Sequence, residues 1–422
     1  MLGSKTQRNF FVYLLHHGAR YLLPLILTPF LARMLRPDQF GDFVVWNACV
    51  WTSSLLMEFG FYVYAVNRTA VAKDVDTLRA TVSTIVNAKL MLAPAAVTVY
   101  ALATFGLGFA SRQPAATVLG LFAVLSYGGS FAWYFQGRER GTTAVLVEAI
   151  PQVMQLALVL AFVRNPADLW MAVLFQTLAG MFALGASVVV VWHDDMLLAG
   201  KPRDGAKAIV EAMPFFVERC SYTIYSTAAP IIISLLTTRE EAAFYGIGDK
   251  VGVFLIGFSI PLTQAMAPVV VRRLSVNTMD WALSLRLVIL ATAFTGSIAL
   301  LVFFTIEPVL VWFFGESYRP AVAVARWFCV SSVLMAYQLT LSRFVIIPGG
   351  GARILMITSG IALAVSLSLQ FLLVPSMGAA GSAIGRTVAE FSMGAILTVA
   401  AWRFIRRDGA GQLAPEESRV QA

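Results

Sequence analysis

The chain has 422 residues, of which 59% are hydrophobic and only 13% charged, with a mean hydropathy of +0.77. Soluble domains are roughly a quarter charged and about half apolar, so the composition excludes a soluble enzyme and identifies a polytopic membrane protein. Its 31 Lys and Arg against 23 Asp and Glu give a formal charge of +8, which the distribution described below explains through topology, without nucleic acid.

A membrane-spanning helix needs about 20 apolar residues. Runs of that kind predict twelve spans, at 10–35, 40–66, 82–105, 115–136, 144–163, 169–192, 214–236, 243–271, 287–306, 321–347, 355–374 and 380–402. The separators carry turn chemistry, as at Arg36-Pro37-Asp38, Asn165-Pro166 and Pro348-Gly349-Gly350-Gly351. Lys5 and Arg8 precede the first run, but that run is too long for a signal peptide, is interrupted by Arg20 and lacks a small-x-small cleavage site. It reads as an uncleaved first helix.

Within that first run, His16, His17 and Arg20 interrupt otherwise apolar sequence from Phe10 to Leu35. An arginine near the bilayer centre costs roughly 2.5–3.5 kcal/mol on insertion scales and therefore faces a protein interior or water. Residues four apart share a helix face, so His16, Arg20, Pro24 and Thr28 form a stripe with Tyr13 and His17 beside it. Two readings stay open. The stripe satisfies backbone carbonyls in a tight bundle, or it lines a cavity in which Arg20, His16 and His17 bind an anionic substrate while Pro24 and Pro29 permit bending.

The second span supplies Glu58, a deep carboxylate that needs a partner, a proton or a cation. It is either a counter-ion to Arg20 or a protonation site for coupling. Further along, Glu218 and Arg219 open the seventh span, Asp249 and Lys250 the eighth, and Arg386 and Glu390 lie four apart in the twelfth. Arg219, Lys250 and Arg386 are candidates for the substrate cavity; Asp249 and Glu390 join Glu58 as candidate coupling or counter-ion groups. Adjacent residues such as Asp249 and Lys250 point to different faces and require different partners. Arg326, Arg343 and Lys89 are expected to snorkel, their long stems carrying the charge to the headgroups.

Lys and Arg concentrate on the cytoplasmic side of membrane proteins. With the N-terminus inside, eighteen fall on inner segments against six outside (Arg33, Arg36, Arg112, Arg164, Arg239 and Arg319), the other seven of 31 lying within spans. Both termini are thereby placed in the cytoplasm. The inner connection 193–213 falls at the middle of the chain and reads as a linker between six-helix halves at 1–192 and 214–402, with a tail at 403–422. Pro24 to Phe40-Gly41 and Pro230 to Tyr245-Gly246 share an apolar run, a polar break and an aromatic-Gly opening, as parallel repeats would.

Several signals carry no chemistry. The longest outward loop, 307–320, is short and mostly apolar, whereas a membrane enzyme of glycan assembly generally needs a large catalytic outward loop. There is no Gly-x4-Gly-Lys-Ser/Thr phosphate loop, and Gly349-Gly350-Gly351 is read as a turn. His193-Asp194-Asp195 reads as a solvated helix end, not a metal site. Cys49, Cys220 and Cys329 read as packing residues, Asn67-Arg68-Thr69 is a sequon on the wrong side, and Gly381-x3-Gly385 fits close helix packing. No cofactor or metal is called for.

The residues resemble polysaccharide flippases of the Wzx type, the O-antigen and exopolysaccharide lipid-carrier translocases. Their superfamily includes multidrug-and-toxin exporters and lipid II flippases. The resemblance runs from about Asn9 to Trp402. It rests on Tyr21-Leu22-Leu23-Pro24 through Leu31-Ala32-Arg33-Met34-Leu35 with Phe40-Gly41, on Glu58-Phe59-Gly60-Phe61 (where the family more often has Asp) and on Trp133-Tyr134-Phe135-Gln136-Gly137. It continues in Phe244-Tyr245-Gly246-Ile247-Gly248-Asp249-Lys250 and in Val374-Pro375 through Gly378-Ala379-Ala380-Gly381-Ser382-Ala383. It implies an all-α protein with two six-helix bundles around a central cavity that opens alternately to each side of the bacterial inner membrane. It implies an undecaprenyl-diphosphate-linked oligosaccharide as substrate, membrane lipid as environment, and a polysaccharide polymerase and chain-length regulator as partners.

An ion-coupled exporter of small amphiphilic compounds would share this architecture. Such a cavity favours carboxylates, and deep Arg and Lys are at least as prominent here. A scaffold that only gathers the assembly machinery is a third alternative, which loss of translocation in a normally expressed Arg20→Ala variant counts against.

Overall fold

The computed structural model describes residues 4–72, 74–196, 202–274, 281–349 and 351–412; within these, the side chains of 4–22, 202–203, 218, 221–223, 225–226, 261, 264–274, 352 and 407–412 are not described. The helices are α1 (Ser4–Glu58), α2 (Phe61–Val71), α3 (Val75–Gly106), α4 (Phe109–Arg112), α5 (Pro114–Gly128), α6 (Ala132–Gly137), α7 (Gly141–Phe162), α8 (Leu169–His193), α9 (Pro202–Thr227), α10 (Ala229–Leu236), α11 (Arg239–Leu274), α12 (Trp281–Phe314), α13 (Ala321–Leu341) and α14 (Ala352–Gln412). Short 3-10 turns lie at Pro166–Asp168 and Glu316–Tyr318, and a π-helical turn at Ser342–Ile346. The described residues contain no strand. In hydrocarbon each backbone N–H and C=O must be satisfied within the protein, and the helix does this within one segment.

All twelve expected spans fall on helices. The first two share α1, which breaks at Arg36 (φ 61, ψ 166), because the ring of Pro37 excludes helical geometry at the residue before it. The last two share α14, which breaks at Gly378 (φ 57, ψ −136), where the missing Cβ permits positive φ. Eight of the described helical segments are long and apolar enough to cross a membrane, or nine if the bent pair Leu23–Glu58 and Phe61–Val71 is one span.

Three spans expected to be continuous are interrupted. The second bends by 41° at Phe59 (φ 48) and Gly60 (φ 70), between α1 and α2. The fourth divides into α5 and α6, and the seventh into α9 and α10. The other turns follow local capping. Asp74 accepts the Thr77 N–H at 2.7 Å to start α3. Asn165 and Asp168 cap each other's turn, the Asp168 carboxylate accepting the Asn165 N–H at 3.0 Å.

The chain forms two compact units. The first comprises Met1–Gly246 with Trp312–Tyr318, the second Ile247–Val311 with Arg319–Ala422. In the first, α2, α3, α6 and α9 meet around Phe59, Phe61, Tyr64, Val82, Trp133, Phe135 and Ala208, with the Phe59 and Phe216 rings stacked at 3.9 Å. In the second, Val288 of α12, Leu341 of α13, Phe344 to Ile346 of the π turn and Leu397 of α14 form one cluster. Along α12, Ser284, Val288, Ala291, Thr295 and Ala299 face inward, while Ile289, Leu290, Leu300, Leu301 and Phe304 are exposed. That inversion, small and polar inside with large and apolar outside, suits a helix whose outer solvent is lipid.

Candidate functional site

Glu58 is the last residue of α1, and the left-handed backbone at Phe59 and Gly60 turns its carboxylate onto the start of the next helix. Oε1 accepts the Tyr62 N–H at 3.0 Å and Oε2 the Gly60 N–H at 3.2 Å. The group thus satisfies amides that have no intrahelical partner and places negative charge at the positive end of α2. From α9, the Arg219 Nε lies 3.5 Å from Oε2. That approach is possible because Gly60 has no side chain: a Cβ there would fall 2.7 Å from the Phe215 carbonyl carbon, one helical turn before Arg219. The Glu58 side chain is 17% exposed and that of Arg219 48%. Arg219 has no other charged or hydrogen-bonding partner among the described residues, so its outer guanidinium nitrogens can receive an anion.

Lys89 of α3 completes this charge set. It is buried, and its Nζ donates to the carbonyls of Gly128 at 2.9 Å and Ser130 at 2.8 Å, where α5 ends, within electrostatic reach of Glu58. The expected snorkelling of Lys89 is therefore corrected: the ammonium turns inward because the interrupted fourth span leaves carbonyls that only a donor can satisfy.

In the second unit, Arg386 of α14 pairs with Asp249 of α11, Nη1 to Oδ1 at 3.0 Å, and its guanidinium lies over the Phe328 ring at 5.0 Å. One turn on, Glu390 accepts from the Gln338 side chain at 2.8 Å. Arg386 and Glu390 are both buried. Lys250 is exposed and has no ion pair or hydrogen bond among the described residues, so the Asp249-Lys250 neighbours do point apart. The structure thus brings together Glu58 with Arg219 and Asp249 with Arg386. His16, His17 and Arg20 lie on α1, and their side chains are outside the described residues.

A further cluster escaped the sequence reading. Asp42 is fully buried, 3.0 Å from Arg239 and 3.5 Å from Arg112, with the Gln113 amide at 3.4 Å. Beside it the buried Tyr318 hydroxyl donates to the Ala32 carbonyl at 2.7 Å, between the rings of Phe40 and Phe244, and Arg33 donates to the Trp312 carbonyl. An acid two residues into a span passes for an interfacial group. The available signal was that Arg112 and Arg239 are two of only six outward cations. Arg326 likewise pairs with Glu307 at 3.4 Å instead of merely snorkelling.

At the opposite end of the first unit, three acids are occupied: Glu211, Asp194 and Asp195. Glu211 takes the Tyr64 hydroxyl at 2.7 Å and Arg68 at 2.6 Å. The Tyr64 hydrogen bond, then the charges of Arg68 and Lys207, hold its carboxyl below the usual range against the opposing effect of burial. Asp194 takes Arg140 at 2.5 Å and Tyr134 at 2.7 Å, and Asp195 takes Arg79. The 193–195 segment is thus an ion-paired helix end, and no group of three metal-ligating side chains occurs among the described residues.

Residues 6–274 match the family model described as polysaccharide biosynthesis protein. The chain belongs to that family. A "Putative O-antigen transporter" of Shigella dysenteriae is 24% identical over 384 residues, covering 90% of this chain and 95% of the relative. A protein of the same name from Escherichia coli K12 is 23% identical over 287 residues, 66% of this chain and 68% of its own length. Among solved structures, an inward-facing multidrug resistance MATE family transporter of the MOP superfamily aligns with TM-score 0.68 at 12% identity, covering 94% of this chain and 96% of its own. The lipid II flippase MurJ in its inward closed conformation gives TM-score 0.67 at 10% identity, with 93% and 87% covered. At such identities these structures speak for the fold alone, and it is the all-α membrane fold that the Wzx-type resemblance implies.

Proposed function

We propose that this polysaccharide biosynthesis protein carries a lipid-linked oligosaccharide, its glycan joined to undecaprenyl through a diphosphate, across the bacterial inner membrane by alternating access. Family membership and the O-antigen transporter relatives support the substrate class. The observation that carries the reading is Arg219, a half-exposed guanidinium whose Nε lies 3.5 Å from Glu58 Oε2, beside the broken junction of α1 and α2. Interrupted spans are where transporters place ligand sites, because unwound backbone is tolerated only where it lines protein or water. In this proposal Arg219, with Arg20, His16 and His17 from α1, receives the diphosphate or acidic sugars in the first unit, and Lys250 is a further substrate-binding candidate of the second unit. Glu58 orients Arg219, and Asp249, Arg386 and Glu390 respond to the coupling ion. The two six-helix bundles, the cytoplasmic termini and the polymerase and chain-length regulator partners belong to the same proposal.

The test is complementation of a flippase-deletion strain. Arg219→Ala and Arg20→Ala are each expected to abolish surface polysaccharide at normal protein levels, whereas Arg219→Lys and Arg20→Lys retain part of it. Full restoration by the alanine variants overturns the assignment. An exporter of small cationic amphiphiles predicts the reverse chemistry, with drug resistance lost on removing Glu58 and unaffected by Arg219→Ala.

A further inference from the structure

The second unit ends in arginines that have no ion pair among the described residues. The start of α12, the end of α13 with its π turn, the start of α14 and its last turns converge in one packed cluster, where Val288, Leu341, Phe344 and Leu397 are joined by Trp281, Ile354, Leu355 and Phe404. The ends so gathered carry Arg286, Arg343, Arg353, Arg403 and Arg406, all exposed. None has an ion pair among the described residues, and the described acids of this unit are engaged elsewhere: Asp249 by Arg386, Glu307 by Arg319 and Arg326, Glu390 by Gln338. Of the described loop cations at the inner end of the first unit, Arg68, Arg79, Arg140 and Lys207 are each paired with an acid, and Arg138 is the exception. A topological bias toward cations accounts for their presence at both ends but not for this difference in pairing.

The backbone beneath these arginines is held firmly. Gly349 and Gly351 pack against the Phe404 ring, where added Cβ atoms would lie 3.2 and 2.9 Å from it, and the π turn spans Ser342–Ile346. Just inside the arginines, Ile347, Ile357, Val399 and Trp402 are exposed apolar side chains, and Arg406 lies over the Trp402 ring at 3.9 Å. Exposed cations without an ion pair among the described residues, next to exposed apolar side chains, match a molecule with an anionic head and an acyl tail.

We propose that this end of the second unit is a binding surface for anionic phospholipid, with Arg343, Arg353 and Arg403 as its principal headgroup contacts. The proposal is independent of which glycan the protein carries, and no glycan enters its test. Detergent-purified full-length protein is titrated with phosphatidylglycerol and, separately, phosphatidylcholine, and bound lipid is counted by native mass spectrometry. The parent is expected to prefer phosphatidylglycerol, and the preference is expected to fall with added salt. Each Arg→Gln change is expected to lower phosphatidylglycerol affinity about fivefold, the equivalent of about 1 kcal/mol per basic residue at an anionic surface. The triple Arg343→Gln, Arg353→Gln, Arg403→Gln variant then loses about two orders of magnitude. The triple Arg→Lys variant keeps the charge and retains the preference, and Arg164→Gln, an exposed cation of the first unit, leaves it unchanged. Equal affinity of the parent for the two lipids, an undiminished preference in the triple Gln variant, or an equal loss in Arg164→Gln overturns the proposal. Should the triple Gln variant fail to fold, loss of the preference in the Lys variant, or its insensitivity to salt, overturns it instead.

Discussion

Lys89 shows what a single intramembrane charge is for. Its ammonium joins the carbonyls of Gly128 and Ser130, two acceptors left open where α5 stops. Lys89→Met keeps an unbranched side chain one atom shorter but strands both carbonyls in a medium without water. An unsatisfied buried acceptor costs about 1–3 kcal/mol, so Lys89→Met is expected to lower the thermal unfolding midpoint of the detergent-solubilised protein by several degrees, and an unchanged midpoint would refute this role. The sequence shows the depth of Lys89 plainly, but not its direction. Snorkelling and inward capping both begin from a lysine some eight residues inside a span, and only the break after Gly128, written in Gly129 and Ser130 between α5 and α6, separates them. The same holds for Glu58. Its depth marks it as requiring a partner, yet Arg219 lies 161 positions away on α9, and no local spacing connects the two. Asp42 went unread for the opposite reason, since its position near a span end makes burial unexpected until Arg112 and Arg239 are seen around it.

At the scale of the element, hydropathy located every span because the bilayer imposes one length and one composition on any helix that crosses it. It did not locate the interruptions within spans two, four and seven, because apolar content is the same on either side of a break. The α1–α2 break is recorded in one residue. Gly60 has φ 70 and backbone atoms of Phe215 and Phe216 pressed to 2.7 Å of where a Cβ would stand. Left-handed geometry costs a Cβ-bearing residue roughly 1–2 kcal/mol, and here the neighbouring α9 backbone must also move. Gly60→Ala is therefore expected to destabilise the protein by at least 1–2 kcal/mol and, by pushing α9 away, to weaken the Glu58–Arg219 pair. Gly185→Ala, where no atom lies within 4 Å of the added Cβ, is the matched control, and equal melting temperatures for the two variants would show that α9 does not depend on that approach. Gly381 and Gly385 illustrate the readable case. Their four-residue spacing predicts close packing, and they meet Leu373 and Leu369 of the preceding arm of α14.

For the molecule as a whole, the alternating access proposed above requires that whichever side is closed be held by contacts that can be broken. The Asp42 cluster has the chemistry for this. A fully buried carboxylate is shared by two half-exposed arginines, from α4 and from the first turn of α11, in a region that also contains the Trp312–Tyr318 segment. Both α11 and the chain around Trp312–Tyr318 run on from the first unit into the second. Asp42→Asn preserves the shape of the side chain and removes its charge, leaving Arg112 and Arg239 without their counter-ion. Neutralising the buried carboxylate removes its attraction to both arginines, which shifts a conformational balance toward opening. Cys49 supplies a native reporter. It is buried and lies seven residues, about two turns, from Asp42 on the same face of α1. With Cys220 and Cys329 changed to serine, Cys49 is expected to react several-fold faster with a membrane-impermeant maleimide in Asp42→Asn than in the parent. Arg239→Gln should reproduce the effect, and the double variant should add little, because both changes release the same contact. Equal labelling rates in all three would mean that the cluster holds the fold of the first unit and has no part in closing it.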